Sequence, residues 1–217
     1  GDTMIAVGTA AGGLAAWRSA PGDWRTDRAG FTTPQEKGLV DITHAGGVSI
    51  ACGWDDATLQ PVLRLHDVGG WQELPGPGEV TIPEVGREHR AVWLEPGGAL
   101  WVGGSSIDNT GPGGVYTASL ARRPSNGDWV EIVLPDATHL EAVNDILVAS
   151  DGHIYLACGE KAAHVLRWDG AQWQDEGPGT PGQVLALAEG PNGVIYAAGV
   201  LLDATQESQP LLRARLE

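Results

Sequence analysis

The chain has 217 residues with a formal net charge of −15, 32 Gly and 14 Pro, and a sequence pI of about 4.6. That length is ordinary for one all-β barrel or propeller, and a field of this sign repels phosphate backbones and anionic lipid surfaces, which excludes nucleic acid and membrane as expected partners. No apolar run approaches the roughly 18 to 20 residues of a membrane helix, and no charged-then-apolar start marks a signal peptide in the sequence given, so a cytoplasmic or a secreted location is expected.

Few helix-forming runs and abundant Gly and Pro predict short strands joined by tight turns. The first group of strands is Met4 to Val7, Gly13 to Trp17 and Trp24 to Thr26. The second is Val40 to His44, Ser49 to Cys52, Val62 to Leu65 and Trp71 to Leu74, with Gly46-Gly47 and Gly69-Gly70 in its turns. The third runs from Arg90 to Leu94, through Leu100 to Val102, to a strand opened by Trp129, with extra length in Ser105 to Gly114 and Ala121 to Asp128. The fourth is Val143 to Ala149, Ile154 to Cys158, His164 to Trp168 and Trp173 to Asp175, its hairpins turned at Asp151-Gly152 and Asp169-Gly170, dipeptides suited to the positive φ of primed turns. The fifth is Val184 to Ala188, Val194 to Ala198 and Leu211 to Leu216.

In each group one strand ends in glycine, at Gly8, Gly53, Gly103, Gly159 and Gly199, and in the first four a tryptophan follows about twenty residues later at Trp24, Trp71, Trp129 or Trp173. Inner strands that are apolar on both faces, such as Ile146-Leu147-Val148, bury those faces only by stacking on like sheets around an axis. The expectation is an all-β, five-bladed β-propeller of mostly four-stranded antiparallel blades, a single domain over 1–217 with blades near 4–30, 38–76, 89–134, 141–177 and 182–217. The strand count is three, four, four, four and three, so the first blade lacks its innermost strand and the last its outermost. Either the ring closes unusually or the chain is cut from a longer one. Cys52 and Cys158 fall in equivalent strands of non-neighbouring blades, too far apart for a disulfide, and are expected as buried free thiols.

The run Ala6-Val7-Gly8-Thr9-Ala10-Ala11-Gly12-Gly13-Leu14 resembles the strand, Gly-Thr, Gly-Gly step of sialidase-like propellers, and Trp168-Asp169-Gly170-Ala171-Gln172-Trp173 resembles a hairpin of bacterial propeller repeats. In number and size the repeats are similar to the five-bladed, tachylectin-like lectins. No intact Asp-box is present, Ser150-Asp151-Gly152 being only a turn. Arg64, Arg167 and Arg213 fall at equivalent third-strand positions and are expected to face outward or to form salt bridges across the sheet rather than to bind a substrate.

The resemblance implies that function sits on the face made by the loops joining second to third strands and successive blades. There Trp54, Asp55 and Asp56, Asp108 with Asn109, Glu160, and the His89-Arg90 pair are the expected ligand-binding residues, Trp54 by stacking and the acids by hydrogen bonding. Glu88, His89 and His139 are weighed as a metal or acid–base group, and scattered histidines are preferred. Cofactors are expected to be none, with Ca²⁺ on the aspartates as the weaker option, since no fixed ligand spacing is present. Asp41 and Asp145, near the starts of innermost strands, are expected to line the channel, where an enzyme would need carboxylates roughly 5 to 10 Å apart. The expected function is a non-catalytic propeller that recognises a basic protein through its acidic, asymmetric loop face. The alternatives are a carbohydrate-binding lectin and a hydrolase or lyase working over the axial channel.

Overall fold

The structure is a computed structural model that describes residues 4–10, 13–20, 23–27, 37–55, 60–78, 85–111, 114–177, 179–203, 205 and 207–214, with side chains in the first sheet described only at 6–8. Five antiparallel sheets form, each pairing its strands in chain order. They are β1 (Met4–Ala10), β2 (Gly13–Ala20) and β3 (Asp23–Asp27); β4 (Lys37–Ala45), β5 (Val48–Asp55), β6 (Gln60–Asp67) and β7 (Gly70–Glu73); β8 (Val85–Leu94), β9 (Leu100–Asp108), β10 (Val115–Arg123) and β11 (Val130–Glu131); β12 (Val143–Val148), β13 (Ile154–Cys158), β14 (His164–Trp168) and β15 (Trp173–Asp175); and β16 (Gly182–Glu189), β17 (Ile195–Leu202) and β18 (Ser208–Ala214). Among the described residues a short helix, α1 (Ala137–Leu140), and a 3-10 turn at Pro191–Gly193 interrupt them. The fold is all-β and propeller-like, and three, four, four, four and three strands are the counts read from the repeat.

The chain divides into two compact units, Gly1–Val102 with Arg122–Val130, and Gly103–Ala121 with Glu131–Glu217. In the first, alternate side chains of the second sheet go to opposite faces, as the pleat requires. Leu39, Ala51 and Val62 pack with Val7 and Trp71 on one face. Ile50, Cys52 and Leu63 pack with Val92, Leu100 and Val102 on the other. In the second unit Ala157, Ala163, Val184, Ala197 and Leu211 form one cluster, and Ala149, Tyr155 and Ile195 a neighbouring one.

The first strands of the second, fourth and fifth sheets carry a bulge soon after they begin. The register slips between Leu39 and Asp41 in β4, between Val143 and Asp145 in β12, and between Val184 and Ala186 in β16. An extra residue there pushes the strand's carbonyl toward its partner, and glycine is what fits opposite. A Cβ on Gly53 would lie 1.7 Å from the Gly38 carbonyl oxygen, and one on Gly199 2.1 Å from that of Gln183.

The bulges also correct two expected equivalences. Cys52 pairs with Asp41 whereas Cys158 pairs with Val143, so the two sit one position apart and face opposite ways, although both are buried free thiols as expected. Arg64 pairs with Ala51 and Arg213 with Ala197, and these two are equivalent. Arg167, opposite Tyr155, is one residue further on. Salt bridging is borne out for Arg64, 3.8 Å from Glu73, and for Arg167, 2.6 Å from Glu176.

Several expected loops are strand. β9 continues to Asp108 and β10 runs to Arg123, so Ser105 to Ile107 and Ala121 to Arg123 belong to ladders. β8 starts at Val85, which takes Glu88, His89 and Arg90 out of the preceding connection. These ladders persist because alternate side chains, including Ile107, Ala121 and the fully buried Ser105, still have an interior to enter.

Candidate functional site

Asp41 and Asp145 each hold two backbone amides. Asp41 accepts hydrogen bonds at 2.7 Å from the backbone amides of Ile42 and of Val92 in the next sheet. Asp145 repeats this with Ile146 at 2.7 Å and with Leu187 of the following sheet at 2.6 Å. Each carboxylate ties one innermost strand to the next. Burial raises the Asp41 carboxyl above the ordinary aspartate range, opposed by the two amide hydrogen bonds.

β8 carries a buried histidine. Counting back three residues from Val92, as from Ile42, puts His89 where β4 has Leu39, and likewise where β12 and β16 have Val143 and Val184. His89 is 2% exposed. Among the described residues neither ring nitrogen has a hydrogen-bond partner, and its Cε1 closes on Gly76, where an added Cβ would come within 3.0 Å. Burial, aided by the Arg87 charge, lowers its pKa to about 3. A neutral imidazole sealed in this way is no ligand-binding group or base for solvent-borne substrate, which corrects its expected role.

Glu88 and Arg90 flank His89 on the strand and, by the period of two, share a face. Arg90 donates from Nε at 3.0 Å and from Nη2 at 2.6 Å to the same Glu88 Oε2. The side chains are 20% and 14% exposed, so this charged pair is held in shape yet still touches solvent. Opposite charges two apart in a predicted strand are the signal that finds it, once the segment is read as strand rather than loop.

The other expected residues are dispersed. Trp54 lies within β5, paired with Gly38 and Pro61 and half-buried, rather than at the head of a free loop. Asp55 ends β5, its side chain outside the described residues together with Asp56 as a whole. Asp108 closes β9 by accepting from the amide and hydroxyl of Thr110 at 2.9 and 2.7 Å, which holds its carboxyl below the usual range. Asn109 is exposed beside it. Glu160 is half-buried after β13, next to Lys161, whose Nζ reaches Glu141 at 2.5 Å. His139 in α1 is bound to Asp136 at 2.7 Å. Among the described residues no three His, Cys, Asp or Glu side chains gather as a metal site, and no helix is long and apolar enough to cross a membrane.

No family model and no curated protein matches the chain. Solved structures do share its fold. The α-L-arabinanase of Penicillium chrysogenum complexed with arabinobiose is 12% identical with a TM-score of 0.61, over 97% of this chain and 70% of that one. The polysaccharide lyase Uly1 is 10% identical with a TM-score of 0.54, over 93% of this chain and 52% of that one. The extracellular domain of the hybrid two-component system BT3049 of Bacteroides thetaiotaomicron is 14% identical with a TM-score of 0.52, over 92% of this chain but 27% of that one, so the chain spans about a quarter of its length. The expectation of a non-catalytic propeller for a basic protein is thereby corrected. The fold is shared with an arabinanase and a polysaccharide lyase.

Proposed function

We propose that the chain is a carbohydrate-active enzyme of the hydrolase type, acting on a neutral polysaccharide, with its five sheets as the blades of one propeller. The observation that carries this is the arabinanase fold matched across 97% of the chain. A polysaccharide lyase shares the fold too, but β-elimination needs a carboxylate beside the proton removed and hence an anionic polymer, which a chain of net charge −15 repels. A neutral glycan meets no such barrier. A polymeric substrate of this kind also suits work outside the cell, the setting of the BT3049 domain.

Glu88 is the carboxylate assigned to the reaction. Arg90 fixes one of its oxygens by two hydrogen bonds, which holds the carboxylate in the single orientation that a base or nucleophile needs. Asp41 and Asp145 are left out because backbone amides hold both oxygens of each.

The test is a panel of arabinan, other neutral glycans and uronate-containing polymers, read for new reducing ends and for the ultraviolet absorbance of unsaturated uronides. Cleavage of a neutral member without that absorbance is expected. Glu88→Gln should lower the rate by on the order of 10² or more, and Asp108→Asn should leave it unchanged. Binding of glycans without cleavage, or a Glu88→Gln variant as fast as the parent, refutes the assignment.

A further inference from the structure

β8 is tied to the second sheet beyond its midpoint. The Val92 amide donates to Asp41 at 2.7 Å and the Leu94 amide to the Thr43 hydroxyl at 3.3 Å. Val92 also enters the apolar cluster with Ile50, Cys52, Leu63, Leu100 and Val102. Ahead of these ties the strand reads Gly86, Arg87, Glu88, His89 and Arg90. Among those five side chains only that of His89 is buried, Arg87, Glu88 and Arg90 being half-buried. The start of the strand is therefore held by its ladder with β9 and by one imidazole.

The corresponding anchors in the other sheets are Leu39, Val143 and Val184, which keep their places at any pH. His89 keeps its place only while neutral. A Cβ added at Gly76 would meet His89 Cε1 at 3.0 Å and Leu63 Cδ1 at 3.6 Å, so the ring is pressed between the β7–β8 connection and β6. Arg87 on its own strand disfavours a second positive charge, and Glu88 and Arg90 are engaged with each other. On the sheet face opposite, Asp41 of β4 spends its oxygens on two amides, and Cys52 of β5 lies in the apolar cluster. Leu63 of β6, Leu100 and Val102 of β9, and Gly76 bring no charge. An imidazolium left unpaired there costs far more than the neutral ring, and the charge is accommodated only by reaching water.

We propose that His89 is an acid latch on β8: once protonated it leaves its pocket, the strand start opens as a local unit, and the Glu88–Arg90 pair loses its fixed orientation. Opening stops at the ties of Val92 and Leu94, which lie beyond it and belong to the packed cluster. The site is thereby switched off in acid and restored at neutral pH. The loss of hydrolysis rests on the role proposed for Glu88, whereas the opening does not.

Hydrogen–deuterium exchange of the whole chain, corrected for the intrinsic effect of pH, is read on peptides covering residues 85–91 and, for reference, 48–55. Between pH 7 and pH 4.5 opening of the first segment should rise on the order of 10²-fold, the factor set by two pH units below the ordinary histidine value of 6.5. The reference segment should not follow, and return to pH 7 should reverse the change. His89→Leu and His89→Val carry the anchors of the other sheets, and both should abolish the rise. On a glycan that the parent cleaves, they should also keep at pH 4.5 the rate that the parent loses. An equal rise in either variant assigns the opening to another group, such as Asp41, and overturns the latch. So does no rise in the parent, or a rise that spreads to residues 48–55. If neither variant folds, a His89 ring resonance that titrates near pH 6.5 while exchange stays unchanged has the same force. Cleavage judges the role of Glu88 and exchange judges the latch, so the two fail separately.

Discussion

His89 is a polar residue at a position that the same fold fills with Leu39, Val143 and Val184. Its ring nitrogens lack partners among the described residues, a loss worth about 1–3 kcal/mol for a buried polar group. With a folded pKa of about 3 against the ordinary histidine value of 6.5, the unfolded chain binds a proton that the folded chain refuses between those pH values. Stability contributed by the neutral ring is therefore full above about pH 6.5 and lost as pH falls toward 3. His89→Leu should raise stability by about 1–3 kcal/mol at pH 7 and by roughly a further 2–3 kcal/mol at pH 4.5. Urea midpoints at the two values check this, and equal acid sensitivity in parent and variant would sink it. Sequence alone exposed the glycine-ended strands but not what the glycines do. Gly53 and Gly199 answer a bulge in the facing strand, and a bulge adds one residue without changing the hydrophobic pattern enough to be seen. Aligning on glycine therefore placed Cys52 with Cys158 and Arg64 with Arg167, each one register step wrong, which turns a side chain to the other face.

At the scale of the strand, the bulges matter because they present Asp41 and Asp145 to the next sheet. The alignment that equates Ile42, Val92, Ile146 and Leu187 puts Ala91 and Ala186 at the same place in the sheets that receive these carboxylates. Donor and acceptor sheets thus alternate along the chain. Removing the carboxylate leaves the Val92 or Leu187 amide of the innermost strand without its acceptor, so Asp41→Ala and Asp145→Ala should each cost about 1–3 kcal/mol. The two lie in separate units with no shared partner, and their effects should add. Thermal unfolding of the single and double variants measures both, and a harmless single variant would remove the carboxylate from the sheet-to-sheet tie. Position near the start of an innermost strand was legible for both residues. Their partners, 51 and 42 residues away, were not, because a hydrogen bond to a neighbouring sheet leaves no local trace. Glu88 and His89 fall in the expected connection because Arg87, Glu88, His89 and Arg90 are polar at four successive positions, with no apolar alternation to mark a strand.

Over the whole chain the repeat was the strongest signal, and it gave the number of strands in every sheet because each hairpin writes its own glycine or aspartate turn. The charge of −15 is a property at this scale as well, belonging to no single group, and it separates the two chemistries found on the fold. At about 10 mM salt the screening length is near 30 Å and at 150 mM near 8 Å. An anionic polysaccharide approaching the chain feels the summed repulsion in the first condition and little of it in the second. Its retention, or its cleavage, should therefore rise with salt across that range. Arabinan carries no charge, and its interaction should stay flat. Affinity electrophoresis in gels containing each polymer, run at both ionic strengths, reads the difference without needing turnover. If an anionic polymer binds more tightly at low salt, a local basic surface outweighs the net charge, and the preference for a neutral substrate fails with it.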